Sequence, residues 1–209
     1  MKLIDITRPL HSRMPVWPGD TTTEFSFVAA RAAGYSCNVG QLRLSLHAGT
    51  HADAPLHFLD DGAPIDALPL ETYIGPARVI DARNRATLTV DLLEPYDWST
   101  TPRVLFRTDC WHDPDQFPLG WPSFDPELPA WLGARGVKLI GIDFPSVDQF
   151  STDDLPMHHA LGRAGVLLLE NLDLHRVAAG IYELIALPLK IRGGDGSPIR
   201  AVLRVGEKT

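Results

Sequence analysis

Short apolar runs broken by proline and glycine make up most of the chain, and strands dominate the elements they predict. Leu3-Ile4-Asp5-Ile6 predicts a short opening strand, stopped by Arg8-Pro9. Residues 39–46 (VGQLRLSL) alternate apolar and polar side chains, the period of a strand with one buried face. Residues 77–81 and 104–108 follow the same pattern, and residues 137–143 and 166–170 are the more continuously apolar, buried kind. Residues 182–187 and 199–205 add two late strands. Helices are few and short: residues 56–59 behind Pro55, residues 129–135 ended by Gly136, and residues 158–163 ended by Gly165. Residues 114–129 carry five prolines and predict an extended surface loop. Two late strand–helix–strand passages indicate an α/β domain, a strand-rich mixed sheet with few short helices.

Composition sets the limits of this picture. A chain of 209 residues suits one domain with a substantial core, taken here as residues 1–209. Apolar residues form 44% and charged residues 22% of it, as in a soluble globular protein. A net charge of −7 with no basic run argues against a nucleic-acid partner. Cys37 and Cys110 are too few for a disulfide framework and lack zinc-knuckle spacing, so two buried or half-buried thiols are expected. The N-terminus has no signal-peptide pattern, and no apolar run reaches the ~20 residues that span a bilayer. A cytoplasmic protein with no membrane partner is the expectation.

Candidate chemistry concentrates in one stretch, LHAGTHADAPLHF, residues 46–58. Residues 47–57 hold three of the chain's eight histidines together with Asp53, interrupted by Gly49 and Pro55. A shared helical face for His47 and His51 is disfavoured by those breakers. A turn at Gly49 lets the two imidazoles converge, and His51 and Asp53, two apart in an extended segment, point the same way. Imidazole nitrogen with carboxylate oxygen suits zinc, manganese or iron, although loop hydrogen bonding would also use these residues.

A second cluster is LPMHHA, residues 155–160, followed by Glu170 at the end of the apolar run 166–169. A carboxylate there is paired, metal-bound or exposed at a strand end, because burying it alone is costly. Beside the His158–His159 pair it becomes a ligand candidate. Trp17, in PVWPGD at residues 15–20, is held in a rigid loop, and either core packing or ligand contact fits it. Residues 143–148 read as a strand end and loop near the site, with no catalytic role assigned, residues 193–198 as a hairpin turn, and His11, His112 and His175 as ordinary.

HAGTHADAPLHF resembles the HxGTHxDxPxH signature of the metal-dependent cyclase-like amidohydrolases, and PVWPGD and the chain length are most similar to the bacterial kynurenine formamidase branch. The resemblance covers essentially the whole chain, from the opening DITRPL to the LPMHHA…LE segment. It implies a swivelling β/β/α domain and hydrolysis of a small-molecule substrate, N-formyl-L-kynurenine. It implies that His47, His51, Asp53 and Glu170 bind one metal ion, and that Asp53, His158 and Glu170 bind a second. His159 is the fallback for His158. His57 becomes the proton carrier, or a support for a ligand, and Trp17 a clamp on the substrate ring.

Five side chains on one four-coordinate zinc would leave no open position, so two ions sharing the carboxylates fit the count better. Zinc is the expected metal, with manganese or cobalt as substitutes. The resemblance also implies a homodimer. The rival activity is hydrolysis of a cyclic amide or imide such as an isatin-like substrate. A structural metal domain without turnover is a further rival, against which the additional His57 speaks.

Overall fold

The computed structural model describes residues 1–152 and 154–206. Among the described residues thirteen strands and two α-helices follow one another. The strands are β1 (Lys2–Asp5), β2 (Glu24–Ala29), β3 (Val39–Arg43), β4 (His51–Asp53), β5 (Ile74–Asp81), β6 (Thr87–Leu88) and β7 (Arg103–Arg107). After β8 (Ser123–Phe124) comes helix α1 (Leu128–Ala134), then β9 (Leu139–Ile142), helix α2 (Pro156–Arg163) and β10 (Leu167–Glu170). The chain closes with β11 (Gly180–Ile185), β12 (Gly196–Pro198) and β13 (Val202–Val205).

Nine strands form one mixed sheet in the order β1-β13-β11-β5-β7-β9-β10-β4-β12. Its centre, β5-β7-β9-β10, is parallel, and antiparallel strands flank it on both sides. Alternation along the central strands sorts their side chains onto two faces. Ile80, Phe106, Ile140 and Leu168 face α1 and α2 in one core, with Leu132 and Leu161 of the helices. Val79, Leu105, Leu139 and Leu169 face the second core, closed by Leu184 and Leu203. The strand-rich α/β reading holds, with a curled sheet and two helices.

Several local expectations are corrected. Residues 39–46 supply β3, but its five residues are exposed: it pairs with β2 in a separate two-stranded ribbon instead of packing on the core. The alternation there has no second layer to meet. Residues 56–59 form a single 3₁₀ turn, Pro55–His57, with no room for a longer helix before Gly62 lies against the Pro55 backbone. Residues 114–129 are not wholly a surface loop: Trp121 and Phe124 are buried in the first core, and β8 pairs with β6. Residues 193–198 include β12, paired with β4. Cys37 is exposed and Cys110 half-buried, both free thiols.

Candidate metal centre

The turn between β3 and β4 delivers the histidines. Gly49 takes a left-handed φ of 65°, and a Cβ there would lie 2.7 Å from Leu10 Cδ2, so glycine alone fits. Beyond the turn, β4 is extended and puts His51 and Asp53 on one face, with His51 Nε2 3.2 Å from Asp53 Oδ1. His47 arrives from the loop, its Nδ1 2.9 Å from the same oxygen. Antiparallel pairing of β4 with β10 sets Glu170 opposite His51, and Glu170 Oε2 lies 3.5 Å from His51 Nε2. His158, on the first turn of α2, completes the group, its Nε2 3.5 Å from Asp53 Oδ2 and 3.6 Å from Glu170 Oε1. His51, Asp53, His158 and Glu170 are all buried.

Each of the three imidazoles is anchored on its outer nitrogen. His51 Nδ1 donates to the Gly49 carbonyl at 2.9 Å, an acceptor only, which leaves Nε2 unprotonated in the neutral ring. His158 Nδ1 lies 2.7 Å from Asp148 Oδ2, and His47 Nε2 lies 3.1 Å from Asp195 Oδ2. The inner nitrogens therefore point lone pairs at two buried carboxylates. That arrangement is repulsive unless cations stand between the groups, and it is the orientation that outer acceptors give metal-bound histidine.

The charge balance says the same. Burial works against charge on His47, His51 and His158, yet the facing carboxylates outweigh it and push them up to about 9, 10 and 10. Burial also opposes ionisation of Asp53, but its three histidine neighbours hold it well below the usual carboxylate range. Burial and the charge on Asp53 push Glu170 up. The buried Asp53 Oδ2 has no hydrogen-bond partner. An unpaired carboxylate oxygen amid imidazole lone pairs fits divalent metal ions.

Beside a rim group of His47, His57 and Asp195, two deeper groups of donor atoms are close enough to hold an ion each: His47 with His51 and Asp53, and Asp53 with His158 and Glu170. They share Asp53. Glu170, expected in both sets, belongs by distance to the second and approaches the first only through His51. His159 stands apart among the described residues: its ring lies 6.3 Å from Phe58 and its Nδ1 is buried without a partner.

His57 lies at the rim, its ring centroid 4.0 Å from that of His47 and its Nδ1 3.6 Å from Asp195 Oδ2. Burial lowers its pKa, which keeps the ring neutral and able to accept a proton near pH 7. Asp195 thus touches both His47 and His57, and its hydrogen bond from His47 lowers its own pKa to about 2. Next to it, a Cβ on Gly196 would meet His47 Cε1 at 2.8 Å, so this glycine makes room for the imidazole.

Above these groups opens a cavity of about 690 Å³. Trp17 lines it, 36% exposed, with ring centroids 5.2 Å from Phe150 and 5.6 Å from Phe117. His11, read as ordinary, also lines the wall. Sequence reading missed Asp148, Asp195, Arg8 and Asn171. Asn171 Nδ2 donates to the Gly49 carbonyl at 3.0 Å and ties the strand end after Glu170 to the histidine turn. Only the GGDGS glycines hinted at a close approach near Asp195.

The family model described as "Putative cyclase" matches residues 4–149. The kynurenine formamidase of Geobacillus thermodenitrificans is 46% identical over 201 residues, covering 96% of this chain and 96% of its own. That of Salinibacter ruber is 45% identical over 207 residues, covering 98% of each chain. A solved structure described as a potential metal-dependent hydrolase with cyclase activity superposes with a TM-score of 0.84 at 28% identity, covering 99% of both chains. Isatin hydrolase A from Labrenzia aggregata superposes with a TM-score of 0.83 at 27% identity, covering 99% of this chain and 94% of that one.

Proposed function

The chain belongs to the Putative cyclase family, among the kynurenine formamidases, and on that premise we propose that it hydrolyses N-formyl-L-kynurenine to L-kynurenine and formate. The observation that carries the reading is the shared carboxylate: Asp53 stands between three anchored imidazoles at the floor of an aromatic-walled pocket. His47, His51 and Asp53 would hold one metal ion, and Asp53, His158 and Glu170 a second, with Glu170 near enough to His51 to assist the first. Zinc suits this donor set, and manganese or cobalt can substitute. Such ions, when bound, would acidify a water and polarise a substrate oxygen.

The chain's own groups handle the rest. His57, neutral at the rim, accepts the proton lost by water as the new C–O bond forms. It returns that proton to the aniline nitrogen as the C–N bond breaks, so the leaving group departs as a neutral amine. Trp17 with Phe117 and Phe150 offers an apolar wall for the aryl ring. The active species is a homodimer in the cytoplasm. Phe25, Phe27 and Val28 on β2 and Leu42 on β3 are exposed, an apolar ribbon face suited to cover by a second copy. Among the described residues no helix is long and apolar enough to cross a membrane.

The test is turnover by purified zinc-loaded protein, followed by kynurenine absorbance and metal analysis together. N-formylkynurenine should be hydrolysed in preference to isatin, with metal content approaching two equivalents per chain. Preference for isatin would favour the cyclic-imide activity of the structural neighbour. Full activity at one equivalent would overturn the shared-carboxylate pair.

A further inference from the structure

The pocket wall contains a guanidinium, that of Arg8, whose charge meets no carboxylate of the described residues within ion-pair distance. Arg8 is the one lysine or arginine among the described residues lining it. Its backbone is pinned beside the metal centre: the Arg8 N–H donates to Thr50 Oγ1 at 2.9 Å, and Thr7 bridges to Leu172 just after Glu170 and Asn171. The side chain then lies across Trp111, with the guanidinium carbon 4.0 Å from the ring centroid. One terminal nitrogen donates to the Asp143 carbonyl at 3.2 Å, while Nε is buried without a partner.

The charges of Asp173 and Asp143 reach Arg8, but both carboxylates make their close contacts elsewhere. The Asp143 carboxylate accepts from the backbone and hydroxyl of Thr108 and from the Asp109 N–H. Asp173 is paired with His175. A guanidinium has five donors in a planar fork, and stacking on an indole leaves its edge free for a planar anion. A buried, stacked guanidinium is poorly hydrated, so an incoming carboxylate gains more here than at an exposed arginine. Burial lowers the Arg8 pKa, the sign of a charge held out of water.

We propose that Arg8 sets specificity for the amino-acid end of the substrate, taking the α-carboxylate of an N-formylated aryl amino acid in a charge-assisted fork. The inference rests on the formamidase reading and deepens it: the formanilide end goes to the metal centre and the carboxylate to Arg8. A cyclic amide or imide brings no carboxylate to this position.

Two compounds of equal size separate charge from fit: L-kynurenine and its carboxamide, bound to the zinc-loaded protein and followed by calorimetry. Wild type should bind the acid roughly tenfold or more tightly than the carboxamide, the size of a hydrogen bond to a charged group. In Arg8→Gln, which keeps a donor for the Asp143 carbonyl, the ratio should collapse towards one. Arg8→Lys should retain part of it. The same ratio should reappear in kcat/KM for the two N-formylated compounds, carried by KM.

Equal affinity of wild type for acid and carboxamide would overturn the proposal. So would a ratio unchanged in Arg8→Gln, or in Arg8→Lys should Arg8→Gln fail to fold. Binding that favours the acid without turnover of either formylated compound would remove the formamidase reading and leave the carboxylate site standing. Turnover of both compounds alike would do the reverse.

Discussion

Asp148 holds His158 twice: its Oδ2 lies 2.7 Å from the imidazole Nδ1 and accepts the residue's own backbone N–H at 3.0 Å. Its Oδ1 accepts the Met157 N–H at 2.8 Å, so one carboxylate caps the first turn of α2 and orients the imidazole. Asp148→Ala removes both functions. Stability should fall by roughly 1–3 kcal/mol, the cost of leaving buried donors unpaired, and metal affinity by ~10–100-fold, as for other lost supports of metal-bound histidine. Denaturant unfolding and competitive chelation measure the two. A variant that keeps wild-type metal affinity would separate His158 from the ions.

His57 divides chemistry from assembly. It lies outside both shared-Asp53 groups, though near His47 and Asp195. His57→Ala should leave metal content near wild type and lower kcat by ~10²–10⁴, the contribution of a positioned acid and base. Metal analysis beside steady-state kinetics reads both. Loss of metal in step with activity would make His57 a ligand, which the third donor group, His47 with His57 and Asp195, would then explain.

What was legible in the sequence was local. His47, His51 and Asp53 crowd into seven residues, so their meeting needs one turn and one short extended segment. Glu170 betrayed itself as a charge ending an apolar run. The choice between His158 and His159 depended on the helix face and on Asp148, ten positions upstream, and local spacing carries neither. Asp195 lies 148 residues from His47, so its stretch read as a plain turn. The same blindness applies to sheets. Of the central parallel strands, β9 and β10 announced themselves by continuous apolar runs, whereas β5 and β7 showed the same alternation as β3, which stands in a ribbon away from the core.

Trp17 was open between core packing and substrate contact, and its setting makes the test sharp. The ring is 36% exposed on the cavity side and packs against Phe117, Trp121 and Phe150. Trp17→Ala should raise KM for N-formylkynurenine several-fold, since a stacked ring contributes roughly 0.5–1.5 kcal/mol beyond its buried area. The loss should shrink for an aliphatic formamide with no ring. A stability cost of ~3–5 kcal/mol with equal loss on both substrates would instead make it a core residue.

Metal ions held by the proposed ligands would compete with protons for the same place, which yields a pH signature. In the metal-free protein His51 and His158 titrate at about 10, against an ordinary histidine value of 6.5, because Asp53, Glu170 and Asp148 face them. Groups whose pKa rises on folding stabilise fully below the unfolded value and lose that contribution as pH climbs through the folded one. The chelator-treated protein should therefore show a falling Tm between pH 7 and pH 10, as protons leave and two buried carboxylates face imidazole lone pairs. Asp53 acts at the other end: its depressed pKa contributes stability that is lost as the pH falls below the ordinary carboxylate range. Zinc-loaded protein should be nearly flat between pH 7 and pH 10, because bound cations replace the protons, and zinc uptake should release protons and tighten with pH. Scanning calorimetry of both forms at several pH values checks this. A metal-free Tm that does not change between pH 7 and pH 9.5 would mean that the buried imidazoles are not held by the carboxylates they face.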